Sequence, residues 1–337
     1  MNSIIQCLSN IKYLSDYLIG HFGKFNIENQ PFSVSFSSLV YDILTTKEKY
    51  ISPTLFKKII GYLNPLFEDY YEKDAKDLML FIIDKLHQEL NKVNYSKQFN
   101  KDFNQLDKDL FNEQKKLVHF IMDYAEKNKS IIFDTFYGII RSTMKCKSCH
   151  KTKYSFKTFN FLVFKLKNVK EYSHKNKKKY KINIYDAFDC MKKEEIMEGE
   201  NMNYCNCCKA LRPAIYQEII YSLPRVLIII LDRGRNDQDF NEEFIFPKDL
   251  DLSIENYVIQ KYCNTKFYLQ SVITYLRENK SGGHYITYCR NGPYEKFLCY
   301  NDDVISIATI KEAMSSNISG NIYTRRTPYN LVYHHMN

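Results

Sequence analysis

The chain has 337 residues, of which 45% are hydrophobic and 26% are charged, a composition typical of globular proteins with a sizeable core. The formal net charge of +9 suits an anionic partner, yet much of it lies in the lysine run of residues 174–181, which is typical of a solvated loop. No segment approaches the ~20 apolar residues of a membrane-spanning helix, and the N-terminus is too polar for a secretory signal. We therefore expect a soluble protein, cytoplasmic, nuclear or both, that binds neither membrane nor nucleic acid.

The first part of the chain, to about residue 130, is predicted to be mostly helical. Apolar side chains recur at helical spacing over residues 3–22, which predicts a helix there. The clearest predicted helix covers residues 74–91, where the 3.6-residue period is well kept. Asp74 and Asp77 lie in its first turn, where carboxylates interact favourably with the helix dipole.

After residue 130 the apolar spacing changes to two residues, which is typical of strands. No internal repeat and no Gly- or Pro-rich linker divides the chain, so we expect one domain over residues 1–337. Helices come first and strands second, which predicts an α+β fold. The predicted strands lie within residues 152–166, 214–234, 244–247, 267–276, 283–290 and 295–305.

Four of the ten cysteines form two C-x-x-C pairs, Cys146 with Cys149 and Cys205 with Cys208. One such turn supplies two thiolates to a zinc ion, and two turns complete a tetrahedral site. A closed four-thiolate site has no open position for catalysis, so we expect a structural zinc. Their neighbours His150 and Cys207 are rival ligands, and unmetallated loop thiols are the alternative.

A second pattern places a histidine and polar residues on neighbouring predicted strands. His284 follows Gly282 and Gly283, and Asn301 and Asp302 end the next predicted strand. A turn between these strands would bring the Asn301 side chain beside the His284 ring. A histidine held by such a partner is the base and orienting group of a cysteine protease triad. The alternative is a surface or packing histidine.

A nucleophile for such a triad is harder to find. Cys7 is the only cysteine near a helix start in the first region, but it lies almost two turns inside the predicted helix. A buried helix cysteine is therefore the better interpretation of Cys7.

Taken together, these runs resemble the ubiquitin-specific proteases, papain-like cysteine peptidases that cleave after the C-terminal glycine of ubiquitin. The matching runs are collinear from Met1 to about Ile305. They are MNSIIQCL, the segment ending in EKDAKDLM, FDTFYGIIRSTMKCKSC, NYCNCCKA, SLPRVLIIILDRGR, FIFPKDLDLS, GGHYITY and YNDDVIS. The resemblance implies a papain-like fold with a helical thumb over residues 1–130, zinc-bearing fingers over 131–225 and a palm over 226–337.

The resemblance also implies roles for single residues. His284 would be the general base, Asn301 its orienting partner and Asp302 an auxiliary. Asp74 and Asp77 would receive the arginines of the ubiquitin tail. Gly282 and Gly283 would line the narrow channel that admits a Gly-Gly terminus.

One departure bears on activity. In the family the nucleophilic cysteine lies two residues before the position that matches Met1, and the sequence as given does not contain it. We expect an N-terminally incomplete form of a monomeric deubiquitinase, which performs thiol hydrolysis of the isopeptide bond between ubiquitin and its substrate proteins. The alternative is a catalytically inactive ubiquitin-binding pseudoenzyme. A zinc-fingered nucleic-acid-binding protein is disfavoured, because His284 with Asn301 would have no role there.

Overall fold

The computed structural model combines helices and sheets, as the predicted α+β class requires. It describes the chain except residues 49, 94–111, 177–180, 235–241, 261–263, 278–282, 293–295, 316–324 and 337.

The N-terminal part of the chain is helical. The helical spacing predicted over residues 3–22 corresponds to two helices, which Asn10 and Ile11 divide. The Asn10 side chain caps the first helix on the Gln6 carbonyl at 2.8 Å. The predicted helix over 74–91 is confirmed. The helices are α1 Asn2–Ser9, α2 Lys12–Gly20, α3 Pro31–Thr45, α4 Thr54–Leu63, α5 Ala75–Leu90, α6 Glu113–Lys127 and α7 Ile131–Phe136.

Two sheets and a short ribbon follow. The smaller sheet has the strand order β2-β1-β7-β4, and β5 pairs with β6 in a separate ribbon. The larger sheet has the order β13-β12-β11-β10-β14-β8-β3, with β9 beside β10. The strands are β1 Gly138–Cys146, β2 Thr152–Phe159, β3 Leu162–Lys165, β4 Glu195–Met197, β5 Asn203–Cys205, β6 Ala210–Arg212, β7 Ala214–Ser222, β8 Val226–Asp232, β9 Asp249–Asp251, β10 Lys266–Arg277, β11 Gly283–Arg290, β12 Lys296–Asn301, β13 Val304–Thr309 and β14 Arg325–His335.

Three further helices lie in the strand-rich part: α8 Leu166–Lys175, α9 Ile184–Lys192 and α10 Ile310–Met314. None of them was predicted. The expected strand over residues 244–247 is wrong, since Ile245 forms only an isolated bridge with Asn183. Asn183 instead starts α9 through a capping box with Asp186.

The larger sheet is buried on both faces. Alternate residues of β8 enter two different cores: Val226, Ile228 and Ile230 pack with the N-terminal helices. The intervening Leu227, Ile229 and Leu231 pack against the opposite face, with α9. A strand buried on both faces has a continuous apolar sequence, which explains the run VLIIIL.

Candidate active site

A cleft of about 470 Å³ lies between the N-terminal helices and the edge of the larger sheet. Its walls include residues 1–4 at the start of α1, residues 69–75 before and at the start of α5, and residues 283–285 of β11. Helix termini and strand ends thus converge on one concave surface. Four of the predicted catalytic and substrate-binding residues line this cleft: Asp74, Gly283, His284 and Asp302.

His284 lies on β11 with its predicted partners beside it. Nε2 of His284 is 2.8 Å from Oδ1 of Asn301, the last residue of β12. Because an amide oxygen only accepts, Nε2 carries the proton in this hydrogen bond and Nδ1 is left as the basic nitrogen. The predicted juxtaposition of a histidine and an asparagine on neighbouring strands is confirmed.

Asp302 lies in the two-residue turn between β12 and β13, with a φ of 50°. Its Oδ2 is 3.5 Å from His284 Nε2, a distance at which the carboxylate would pair with a protonated ring. Its Oδ1 accepts a hydrogen bond of 2.6 Å from the side-chain amide of Asn2. The turn is thereby connected to the first turn of α1.

Helix α1 is held against the strand that carries His284. The Thr287 hydroxyl donates to the Ser3 carbonyl at 2.7 Å, and the Cys289 thiol lies 3.7 Å from the Gln6 carbonyl. Residues 287 and 289 point to one face of β11 because strand side chains alternate. The start of α1 therefore lies at the cleft, close to His284.

None of the described residues that line this cleft is a cysteine. Cys7 is fully buried inside α1, and burial raises the pKa of its thiol to about 12. A thiol with that pKa is almost entirely protonated at neutral pH and is a poor nucleophile. The interpretation of Cys7 as a buried helix cysteine is confirmed.

The acidic residues near the cleft differ from the prediction in their contacts. Asp74 is the N-cap of α5, where Oδ1 accepts from the backbone N–H of Lys76 at 2.8 Å. Asp77 is about half exposed, 3.7 Å from the Lys76 ammonium, and does not line the cleft. Glu72 was not predicted, yet its Oε1 accepts from the backbone N–H of Gly283 at 3.0 Å, across the cleft.

Position 283 requires glycine, because Tyr275 and Leu276 pack closely against its backbone. A Cβ added there would lie 2.2 Å from the Tyr275 ring and 2.6 Å from the Leu276 carbonyl oxygen, so no other residue fits without displacement. The Tyr275 ring in turn makes an edge contact with Tyr285 in the cleft. Gly282, predicted to line the same channel, lies outside the described residues.

The two C-x-x-C pairs come together at the far end of the smaller sheet. The sulfur atoms of Cys146, Cys149, Cys205 and Cys208 all lie within 4.8 Å of one another. Four thiolates at 2.3 Å from a tetrahedral zinc would be about 3.8 Å apart, so this donor set fits one structural zinc ion. The prediction of the metal site is confirmed in its residues.

Both pairs have the same local geometry. Each turn connects two antiparallel strands, and the residue after its second cysteine has a positive φ, 58° at His150 and 53° at Lys209. Backbone N–H groups of Cys208 and Cys207 lower the pKa of the Cys205 thiol to about 6. Neither rival ligand, His150 nor Cys207, belongs to the cluster found among the described residues.

Within the described ranges, every helix is either too short or too polar to span a bilayer.

Comparison with known sequences finds ubiquitin carboxyl-terminal hydrolases as relatives of this chain. Ubiquitin carboxyl-terminal hydrolase Usp2 of Drosophila melanogaster is 25% identical over 332 residues, which make up 97% of this chain and 34% of that protein. Ubiquitin carboxyl-terminal hydrolase 15 of Xenopus tropicalis is 32% identical over 180 residues, or 51% of this chain and 18% of that protein. The chain thus spans about a third of the Drosophila relative, and 52% of ubiquitin carboxyl-terminal hydrolase 2 of Bos taurus.

Solved structures share the fold. A chain of the SAGA Ubp8/Sgf11/Sus1/Sgf73 DUB module bound to monoubiquitin superposes with a TM-score of 0.70 at 19% identity. The match covers 100% of this chain and 66% of that chain, and it identifies the fold as papain-like. The family described as "Ubiquitin carboxyl-terminal hydrolase" matches residues 1–333. This chain belongs to the ubiquitin carboxyl-terminal hydrolase family.

Proposed function

We propose that this chain forms the thumb, fingers and palm of a cysteine-type deubiquitinase, which hydrolyses the isopeptide bond after the C-terminal glycine of ubiquitin. The observation that carries the proposal is the hydrogen bond of 2.8 Å between His284 Nε2 and Asn301 Oδ1, at a cleft in a chain of this family. The arrangement leaves Nδ1 as the base and fixes the plane of the ring.

In this proposal a thiol at the N-terminal end of α1 is the nucleophile. His284 Nδ1 takes the thiol proton, and the thiolate attacks the carbonyl carbon of the terminal glycine. The positive end of the α1 dipole favours the thiolate. The imidazolium then donates its proton to the leaving lysine amine as the C–N bond breaks. Water, deprotonated by His284, hydrolyses the thioester and releases ubiquitin.

Two carboxylates on one wall of the cleft, Glu72 and Asp74, and Asp77 just outside it suit a cationic peptide tail. We propose that Asp74 and Asp77, together with Glu72, attract the arginines of the ubiquitin tail. Gly283, and Gly282 before it, would let the tail pass close to the backbone. The partners would be ubiquitin and ubiquitinated proteins, bound by a monomer in the cytoplasm or nucleus, without membrane or nucleic acid.

A second candidate is ubiquitin binding without hydrolysis. It is favoured by one observation, the lack of a cysteine among the described residues that line the cleft. Both candidates require the same surface for ubiquitin binding. They differ only in whether a nucleophilic thiol is present at the cleft.

One experiment separates the two. The chain as given and a version extended upstream by Asn-x-x-Cys-Tyr, which places the cysteine two residues before Met1, are compared for ubiquitin affinity and for turnover of a fluorogenic ubiquitin amide. Hydrolysis by the extended protein, with equal affinity in both, supports the enzyme. Binding by both proteins with turnover by neither supports the pseudoenzyme, and absence of ubiquitin binding in both would refute the two candidates together.

A further inference from the structure

The end of the fingers around the four cysteines carries a high density of positive charge. Residues 143–157 and 201–217, which carry the two cysteine turns, contain no Asp and no Glu. The acidic residues beside them are Glu198 and Glu200, in the segment between β4 and β5. Six of their cationic side chains are exposed and lie close to the cysteine cluster, and together they are named the cationic tip: Lys145, Lys147, Lys151, Lys153, Lys209 and Arg212.

The cysteine cluster brings these charges together from two separate segments. The backbone N–H of Lys147 donates to the Pro213 carbonyl at 2.9 Å, which joins the first cysteine turn to the strand after the second. Lys151, Lys153 and Arg212 line one shallow hollow. Cations from both turns therefore form a single surface.

Little in the fold neutralises this surface. Among the ion pairs found in the described part of the chain, none involves Lys145, Lys147, Lys153, Lys209 or Arg212. Further along β2, by contrast, Lys157 is 2.6 Å from Glu218. A zinc ion with four thiolates would carry a formal charge of about −2, which offsets only part of the charge above it. Such a potential attracts anionic partners.

The cationic tip also presents two apolar side chains. Tyr204 and Leu211 are directly opposite each other in the β5–β6 pair, on one face of the ribbon, and are 58% and 57% exposed. Exposed apolar residues inside a charged rim are the arrangement of a protein-binding surface. The hollow of about 40 Å³ is too small to hold a nucleobase, and Tyr204 alone gives no run of stacking rings for a nucleic acid.

We propose that the cationic tip is a docking surface for an acidic polypeptide segment that also carries apolar side chains. Carboxylates of the partner pair with the lysines and Arg212, while its apolar side chains cover Tyr204 and Leu211. This surface shares no lining residue with the cleft that contains His284. Docking here brings the enzyme to a partner and leaves the cleft open.

The test measures anisotropy of a fluorescent peptide of glutamates with interspersed phenylalanines. The double variant Lys209→Glu, Arg212→Glu is compared with Lys24→Glu, Lys311→Glu, a pair of exposed lysines elsewhere. Both variants replace two cations with two anions, so they change the net charge equally. We expect the tip variant to weaken binding about tenfold and the control less than about twofold. Circular dichroism and zinc content confirm that both variants are folded.

Equal weakening by both variants would mean that the peptide responds only to net charge, and the proposal would be overturned. A second variant, Leu211→Ser, should weaken the phenylalanine-containing peptide and leave a peptide of glutamates alone unchanged. If Leu211→Ser weakens the binding of both peptides equally, or weakens the binding of neither, the role of Tyr204 and Leu211 would be contradicted. Tighter binding of a single-stranded oligonucleotide than of the peptide, lost in the tip variant, would identify a nucleic-acid surface and overturn the assignment.

Discussion

The hydroxyl of Tyr329 donates a hydrogen bond of 2.8 Å to Oδ2 of Asp74, and thereby joins the start of α5 to the larger sheet. Oδ1 of the same carboxylate caps α5 on the backbone of Lys76. Burial, together with the nearby Tyr285 and Asp74, raises the pKa of the Tyr329 hydroxyl above its ordinary value. The hydroxyl therefore stays protonated and remains a donor at neutral pH.

Asp74 thus has a structural role beside its proposed role in ubiquitin binding, and two substitutions separate them. Asp74→Asn keeps an oxygen for the helix cap, and its amide N–H can donate to the Tyr329 hydroxyl oxygen in place of the hydrogen bond that the carboxylate accepts, so we expect the free energy of unfolding to change by less than ~1 kcal/mol. Asp74→Ala removes the cap and leaves the Tyr329 hydroxyl unpaired, at a cost of about 1–3 kcal/mol. Denaturant unfolding measures both. Ubiquitin affinity should fall about tenfold in Asp74→Asn if the charge receives an arginine, and an unchanged affinity would remove Asp74 from that role.

The chain as given is expected not to hydrolyse a fluorogenic ubiquitin substrate, because no cysteine lines the described cleft. For the same reason it should form no covalent adduct with a ubiquitin vinyl-sulfone probe. Mass spectrometry of the protein after incubation with the probe checks this. Modification of Cys7 would contradict the prediction, since that thiol is fully buried and its pKa is about 12.

In the protein extended by the upstream asparagine and cysteine, His284→Ala should abolish turnover. The thiol then has no base and the leaving amine no proton donor. Asn301→Ala should cost less, roughly 10–100-fold, because it removes only the group that orients the ring. Near-full activity of His284→Ala would show that β11 does not carry the base.

The Asp302 carboxylate lies 3.5 Å from the same ring nitrogen, close enough to replace Asn301 as the group that orients the ring. Asp302→Ala should therefore reduce turnover more in the Asn301→Ala background than in the otherwise unchanged extended protein. Steady-state kinetics of the four proteins give the coupling between the two side chains. Ubiquitin affinity, measured separately, should stay the same in all of them, and simple additivity of the two losses would argue against a shared function.

One zinc ion per chain is expected from the four clustered thiols. Cys146→Ser should release it and increase hydrogen exchange near the two cysteine turns, while the larger sheet keeps its protection. Cys207→Ser is the matched control, because Cys207 is exposed and lies outside the cluster. Elemental analysis that finds well under one zinc per chain, or equal metal loss in the control, would contradict the site.

Local patterns predicted those elements whose signals lie within a few residues. Helix α5 has both a capping aspartate and a regular apolar period, and β8 has a run of buried residues bounded by a proline. Helices α8 and α9 were missed because strands of period two flank them. The capping box of Asn183 and Asp186 was a usable signal for α9.

In the candidate site, too, the sequence predicted only contacts between residues that are close along the chain. His284 and Asn301 lie on adjacent strands of one hairpin, so spacing along the chain predicted their contact. Glu72 meets Gly283 only because α5 packs beside the sheet, and residues more than 200 positions apart leave no local trace of such a contact. The exclusion of a nucleophilic role for Cys7 was predictable, since helical spacing puts its side chain into the core.

Strand β11 carries His284. It also carries Thr287 and Cys289, the two side chains that contact backbone carbonyls of α1. A displacement of β11 relative to the rest of the sheet would move the basic nitrogen and the start of α1 together, and their separation would be preserved. Slippage of α1 by a single turn, by contrast, would change that separation by about 5.4 Å. The separation between the basic nitrogen and the start of α1 therefore depends on the packing of a short helix against the sheet, and a change at Thr287 would alter it.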